Sequence, residues 1–301
     1  MAFLGKRIYT ASMAGINIRH NHNNLKTAQM KYNIALTIAG SDPSGGAGLQ
    51  ADLKTFSALG VYGASAVVAV VDENTAGVYG VHPIPENFVA GQIRSVLSDI
   101  GADAVKIGML HSSSLIRTVL ATLQDYPDVR RIVLDPVMVA TSGDPLLETD
   151  AIGTLRDELI PYSKIITPNL PEASLLLGEN IDHQDQFEDA ARALSRLSDQ
   201  KVSVMLKAGH LEGTDTLVDI FYNAEKDTFM RLPSPRLHTV NTHGTGCTLS
   251  SAIAAFLAKG ADLDTAARKG KEYIANAVTA GAAYAIGHGH GPVAHFHQWW
   301  K

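Results

Sequence analysis

Two glycine-rich stretches hold most of the residue types that do chemistry. The first, "NTHGTGCTLSSAIAAF", contains Cys247, the one cysteine in the 301-residue chain. Gly244 and Gly246 let the backbone turn tightly and aim several amides one way, Thr245 and Thr248 add hydroxyls, and the helix that follows contributes its positive end. That combination suits a phosphate, above all one gaining charge during transfer. The spacing is not that of a P-loop, because no Lys-Ser/Thr follows the glycines. Cys247 reads in two ways: as a small apolar residue packed where a loop caps a helix, or as a thiol made more acidic by the helix N-terminus, a base or nucleophile at neutral pH.

The second stretch, "GSDPSGGAGLQAD", is equally glycine-dense and also precedes a helix. It lacks the G-x-G-x-x-G spacing of a dinucleotide fingerprint. Asp52 is expected in the first turn of that helix, either accepting a hydrogen bond from a ligand amino or hydroxyl group or complementing the helix dipole. Further on, "TPNLPEASLLL" sets Asn169 and Glu172 three apart at a helix start, and "LDPVMV" sets Asp135 at a strand end. Together these could hold a hydrated magnesium ion, which prefers oxygen ligands; taken alone, Pro-Glu is simply a good helix opening. The tail "GHGHGPVAHFHQWW" carries His288, His290, His295 and His297. Glycine spacing leaves the rings without a helix or strand to fix them, so the tail reads as packing and surface rather than as a metal site.

Loops of this kind need a scaffold, and the pattern supplies one. From Asn33 onward, apolar runs such as "NIALTIAG", "ASAVVAVV", "DAVKIGML", "RRIVLDPVMV", "SKIITPN" and "KVSVMLKAGH" alternate with helical patterns. Alternation predicts crossover units and a mostly parallel sheet covered by helices on both faces, an α/β three-layer arrangement. "TLVDIFYN" and "TFMRLPSPR" predict a hairpin, and two helices, about 247–259 and 262–286, complete the chain. The chemistry-bearing loops all follow strands, where open sheets of this type bind ligands. The pattern shows neither a linker nor an internal repeat, so residues 33–301 are expected to form one domain.

Composition narrows the partners. Twenty-five basic against 30 acidic side chains give no reason to expect nucleic acid or an anionic membrane, and a lone cysteine makes the cytoplasm the default compartment. Residues 1–32 are basic, acid-free and without periodicity, and read as a flexible extension. A transit peptide, or a natural start at Met30, are the other readings of that stretch.

"ALTIAGSDPSGGAGLQADLKTFSALG", "VKIGML", "SGDPLL", "ITPNLPEA", "NTHGTGCTLSSAIAA" and "GHGHGPVAHFHQWW" occur in order and together resemble the bacterial hydroxymethylpyrimidine and phosphomethylpyrimidine kinases of thiamine biosynthesis, a branch of the ribokinase-like kinases. The resemblance runs from about Asn33 to Lys301. It implies a ribokinase-like fold, a homodimer, ATP with Mg2+, and phosphorylation of 4-amino-5-hydroxymethyl-2-methylpyrimidine followed by phosphorylation of its monophosphate. Residue by residue it implies Cys247 as the catalytic base and the amides of Gly244, Thr245, Gly246 and Cys247 as an anion hole. It places Gly40, Ala47, Asp52, Glu73, Met109 and Val137 around the pyrimidine. Lys207, Asn169 and Thr242 fall on the nucleotide side, with Asp135 and Glu172 as the magnesium carboxylates.

One position departs from the pattern. Where the family has Ala-Gln-Asn-Thr, this chain has Asp72, Glu73, Asn74 and Thr75. A glutamine amide both donates and accepts, whereas an ionised Glu73 only accepts. Either the ring nitrogen or Glu73 must then carry a proton. Three other functions stay open at this point: a pyridoxal or pyridoxine kinase of the same fold, a hydrolase or transferase with Cys247 as nucleophile and His243 as base, and a non-catalytic vitamin- or nucleotide-binding protein.

Overall fold

Alternation of side chains along short buried strands builds the molecule around one sheet. The computed structural model describes residues 31–139, 146–148, 150–199, 201–211 and 213–300. The extension expected over 1–32 lies almost wholly outside the described residues, as does much of "SGDPLL". Tyr32 to Lys301 group into one compact unit.

The chain runs β1 (Ile34–Ala39), α1 (Gly48–Ala58), β2 (Tyr62–Val67), β3 (Ala69–Asn74), β4 (Gly77–Pro83), α2 (Glu86–Asp99), β5 (Ala104–Ile107), α3 (Ser113–Gln124) and β6 (Ile132–Leu134). It continues through α4 (Ala151–Thr154), β7 (Ile165–Ile166), α5 (Leu170–Leu177), α6 (Phe187–Ser195), β8 (Ser203–Leu206), β9 (Thr216–Asn223), β10 (Thr228–Pro235), α7 (Thr245–Ala258) and α8 (Leu263–Gly281). Eight strands form the main sheet in the order β10-β9-β8-β7-β6-β5-β1-β2. All neighbours from β8 through β2 pair parallel, and β9 and β10 are antiparallel.

Successive residues of the central strands face opposite layers, as the two-residue period of a strand requires. Leu36, Ile38, Val105, Ile107, Ile132 and Leu134 pack in one core with α2, α3, α5 and α6. Ala35, Ala104, Val133, Ile165 and Met205 pack in another with α1, α7 and α8. The three-layer, mostly parallel, ribokinase-like architecture is therefore realised. Two details differ from expectation. The run "ASAVVAVV", expected as one strand, is split at Val68: Asp72, Glu73 and Asn74 finish β3, which turns through Thr75 and Ala76 into β4 and makes a separate two-stranded flap. The final helix stops at Gly281, and the residues after it form an irregular segment that is largely exposed up to His290 and partly buried beyond it.

Candidate active site

The strand ends open into a cleft of about 720 Å³. Its walls are the two glycine loops, the flap, the end of β6, the start of α5 and, at the far end, Leu217, Leu237, Ile274 and Val278. Of the site residues named from the sequence, every one except Asp52 lines it.

The glycine loops interlock. Gly244 precedes α7 with φ +77°, and a Cβ there would lie 1.8 Å from the carbonyl oxygen of Gly46. Gly46 in turn has His243 Cδ2 2.5 Å from where its own Cβ would be. At Gly244 only glycine fits, because the partner is the Gly46 backbone and cannot rotate away, whereas a side chain at Gly46 would meet the side chains of His243 and Pro292. Asp42 ties the pair together: its carboxylate accepts from the amides of Ser44 (2.7 Å), Gly46 (2.9 Å) and Ala47 (2.6 Å) and sits 2.8 Å from His243 Nε2. Burial pushes Asp42 up, but these hydrogen bonds outweigh it and hold the carboxyl well below the usual range. His243 Nε2 therefore faces Asp42.

Cys247 sits in the first turn of α7, where the helix amides lack partners within the helix. The Gly48 amide, at the start of α1, points at its sulfur. The expected acidification does not occur. Desolvation pushes the thiol up to about 12, Asp52 and Asp135 add to the rise, and Lys106 opposes it. Without ligands, Cys247 is a neutral thiol at pH 7.

Asp52 is the clear misplacement. It lies in the second turn of α1, fully buried on the face that meets β1, β5 and α7. Its carboxylate accepts from Thr37 Oγ1 (2.5 Å), Ser251 Oγ (2.5 Å) and Lys106 Nζ (2.9 Å). It is thus a fixed partner beneath the cleft, not a ligand contact. Lys106 is also fully buried, yet it reaches the cleft wall, and its neighbours Asp52, Cys247 and Asp135 overcome burial to raise its pKa. The signal that sequence reading passed over was a lysine in the middle of the apolar strand "DAVKIGML".

Beside the start of α5, Lys207 Nζ lies 3.1 Å from Asp135 Oδ1 and 3.8 Å from Glu172 Oε2. Asp135 also accepts from Thr167 and Ser250. Burial pushes Asp135 up, but Lys207 and Lys106 outweigh it and hold it ionised. Glu172 goes the other way: burial lifts it to about 7, with Lys207 opposing and Asp135 adding. Asn169 and Glu172 form a capping box, Glu172 Oε2 accepting from the Asn169 amide and Asn169 Oδ1 from the Glu172 amide, both at 2.8 Å. The helix-start reading of this motif is thus correct. The magnesium reading is compatible with it, since Asp135 and Glu172 line one cleft and carboxylate oxygens are the donors a hydrated divalent ion takes.

On the opposite wall, burial first and Asp42 second push Glu73 up to about 7, against His243. Met109 packs closely under Gly40, its Cε 2.9 Å from where a Cβ would sit.

Comparison with known proteins fits this geometry. A model of the family described as phosphomethylpyrimidine kinase matches residues 42–294. The chain belongs to the phosphomethylpyrimidine kinase family. It is 48% identical over 268 residues to a hydroxymethylpyrimidine/phosphomethylpyrimidine kinase of Rhizobium meliloti, covering 89% of this chain and 98% of that one. Among solved structures it is similar to phosphomethylpyrimidine kinase from Clostridium difficile (41% identity, TM-score 0.70, covering 80% of this chain and 97% of that one). It is also similar to an ADP complex of Bacillus subtilis pyridoxal kinase (37% identity, TM-score 0.79, covering 88% and 98%).

Proposed function

We propose that the chain transfers the γ-phosphoryl group of ATP to the hydroxymethyl oxygen of 4-amino-5-hydroxymethyl-2-methylpyrimidine, and then phosphorylates the monophosphate. The observation that carries this reading is the meeting, in one cleft, of an anion-binding helix start, Lys207 with Asp135, and Glu73 on the opposite wall. The ADP complex of the related pyridoxal kinase supports a nucleotide at such a site.

Each group has a role that follows from its surroundings. The amides of Gly244 to Cys247 and Lys207 stabilise charge on the transferring phosphoryl group, which is most of what such a transfer asks of a protein. Mg2+, when bound near Asp135 and Glu172, supplies charge neutralisation on the phosphates. Cys247, a neutral thiol in the resting cleft, orients the alcohol oxygen. It can take the alcohol proton only as a thiolate, after releasing its own proton to solvent, with the Lys106 ammonium as countercharge. A loose transition state permits this, because the alcohol need not ionise beforehand. Gly40, Ala47, Met109 and Val137 shape the slot for the ring, and Glu73 pairs with its aminopyrimidine edge. Asn169 and Thr242 border the nucleotide.

An ATP-coupled assay on the pyrimidine alcohol and on its monophosphate, with product masses, tests both steps; absence of a diphosphate product would reject the second. A second reading, pyridoxal phosphorylation, is favoured by the higher TM-score to the Bacillus subtilis enzyme. Faster turnover of pyridoxal than of the pyrimidine would establish it. A homodimer is proposed from the exposed Val70, Tyr79 and Val81 on the flap, and light scattering checks it. Cytoplasmic residence is proposed from the single-cysteine composition and is checked by cell fractionation.

A further inference from the structure

The histidine- and glycine-rich tail is wound around the flap. At the turn between β3 and β4, Thr75 Oγ1 accepts from the amides of His288 and Gly289, each at 3.2 Å, and the Thr75 carbonyl accepts from the His290 amide at 2.7 Å. The glycines of this segment are there because the contact leaves no room. A Cβ on Gly287 would lie 2.2 Å from Thr75 Oγ1, and one on Gly289 would lie 2.0 Å from the Thr75 carbonyl oxygen. Gly287 also has φ +73°, which L side chains rarely adopt.

The same segment grips the anion-binding loop. The Gly291 carbonyl accepts from the His243 amide at 3.0 Å, and a Cβ on Gly291 would lie 2.0 Å from Asn241 Oδ1. Asn241 Nδ2 donates back to the carbonyls of Gly281 (2.8 Å) and Tyr284 (2.7 Å). A few residues of backbone thus join the flap, which carries Glu73 two positions before Thr75, to the loop that opens α7. The flap is a separate two-stranded sheet, and the loop that opens α7 belongs to no named strand. Residues 286–290 are exposed or half-buried, and Gly291 alone of the segment is buried.

We propose that residues 286–292 form a positioning strap that sets the distance between the substrate flap and the anion-binding loop, with Thr75 as its anchor. The effect on turnover rests on the reading of Glu73 as a substrate contact; the effect on the flap does not. Three variants test the strap: Thr75→Val, which keeps shape but removes the acceptor, Thr75→Ser, which restores it, and Gly289→Ala, which forces the backbones apart. Two readouts are taken: hydrogen exchange of peptides spanning 69–83 and 245–258 in the absence of ligands, and KM for the pyrimidine alcohol and for ATP.

Loss of an acceptor shared by two amides is worth about five- to tenfold, so exchange in the flap should quicken by that factor in Thr75→Val, and more in Gly289→Ala. Exchange in α7 should not change. The KM for the pyrimidine should rise about fivefold or more while that for ATP stays within about twofold, and Thr75→Ser should behave as the parent. Unchanged flap exchange in a folded Thr75→Val protein overturns the proposal. So does a rise of both KM values together, which is what general loosening would produce. If Gly289→Ala fails to fold, Thr75→Val decides alone. If the pyrimidine is not a substrate, the exchange data still decide the strap, and only the function reading falls.

Discussion

Replacing Glu73 with Gln probes the wall of the cleft opposite Lys207. Burial and the neighbouring Asp42 carboxylate lift Glu73 to about 7, so below that pH it carries a proton and above it a charge. A protonated Glu73 donates to a ring nitrogen while its carbonyl accepts from the exocyclic amine. An ionised Glu73 keeps the second bond and turns a lone pair against the first. At pH 9 about one molecule in a hundred keeps the proton, which bounds the loss of affinity at about a hundredfold. The energy of one hydrogen bond to a charged group, about 1.5–3 kcal/mol, gives a comparable range of roughly ten- to 150-fold. The pyrimidine alcohol should therefore bind about ten- to a hundredfold more weakly at pH 9 than at pH 6, whereas Glu73→Gln should bind nearly equally at both. Calorimetric titration without ATP, at fixed ionic strength across that range, measures it. Parallel profiles for the parent and Glu73→Gln would refute the reasoning.

Three further outcomes follow from the buried groups. Because the Cys247 thiol is pushed up to about 12, iodoacetamide should label the ligand-free protein about a thousandfold more slowly at neutral pH than a free cysteine, and Cys247→Ala should lower kcat by about a hundredfold or more; rapid labelling, or full activity of the variant, contradicts the assigned role. Lys106→Met leaves Asp52 unpaired in the core and should cost about 3–5 kcal/mol in denaturant unfolding, much of it recovered in Lys106→Met with Asp52→Leu. His295, buried against Thr248, is held down to about 4 from an ordinary 6.5. The unfolded chain binds the extra proton first, so about 3 kcal/mol of stability should disappear as pH falls from about 6.5 to 4; thermal melts of His295→Leu should lose that acid dependence.

Much of the site was legible because its chemistry is local. Gly244 to Cys247 and Asn169 to Glu172 each sit within one turn of a helix, so their spacing already states which atoms point together. The parallel sheet was legible for a similar reason, since apolar runs separated by helical patterns admit few other arrangements. Asp52 was not legible. Its role depends on which face of α1 meets the sheet, and Thr37, Lys106 and Ser251 reach it from three elements remote in sequence. The flap was missed because its turn is Thr75-Ala76, without the Asn-Gly or Asp-Gly pair that marks a tight hairpin. The tail was set aside as surface because glycines without periodicity carry no pattern, and their reason lies in Thr75, more than two hundred residues earlier.

The contact between Gly46 and Gly244 also limits how this enzyme can change. Gly244 cannot accept a side chain while Gly46 keeps its backbone path, and a side chain at Gly46 would displace His243 and Pro292, so the two loops constrain each other across most of the chain. The flap carries no such lock at position 73. New substrate preferences should therefore arise on that hairpin, while the phosphate end stays as it is. Directed evolution toward other hydroxymethyl heterocycles has most room between residues 69 and 83.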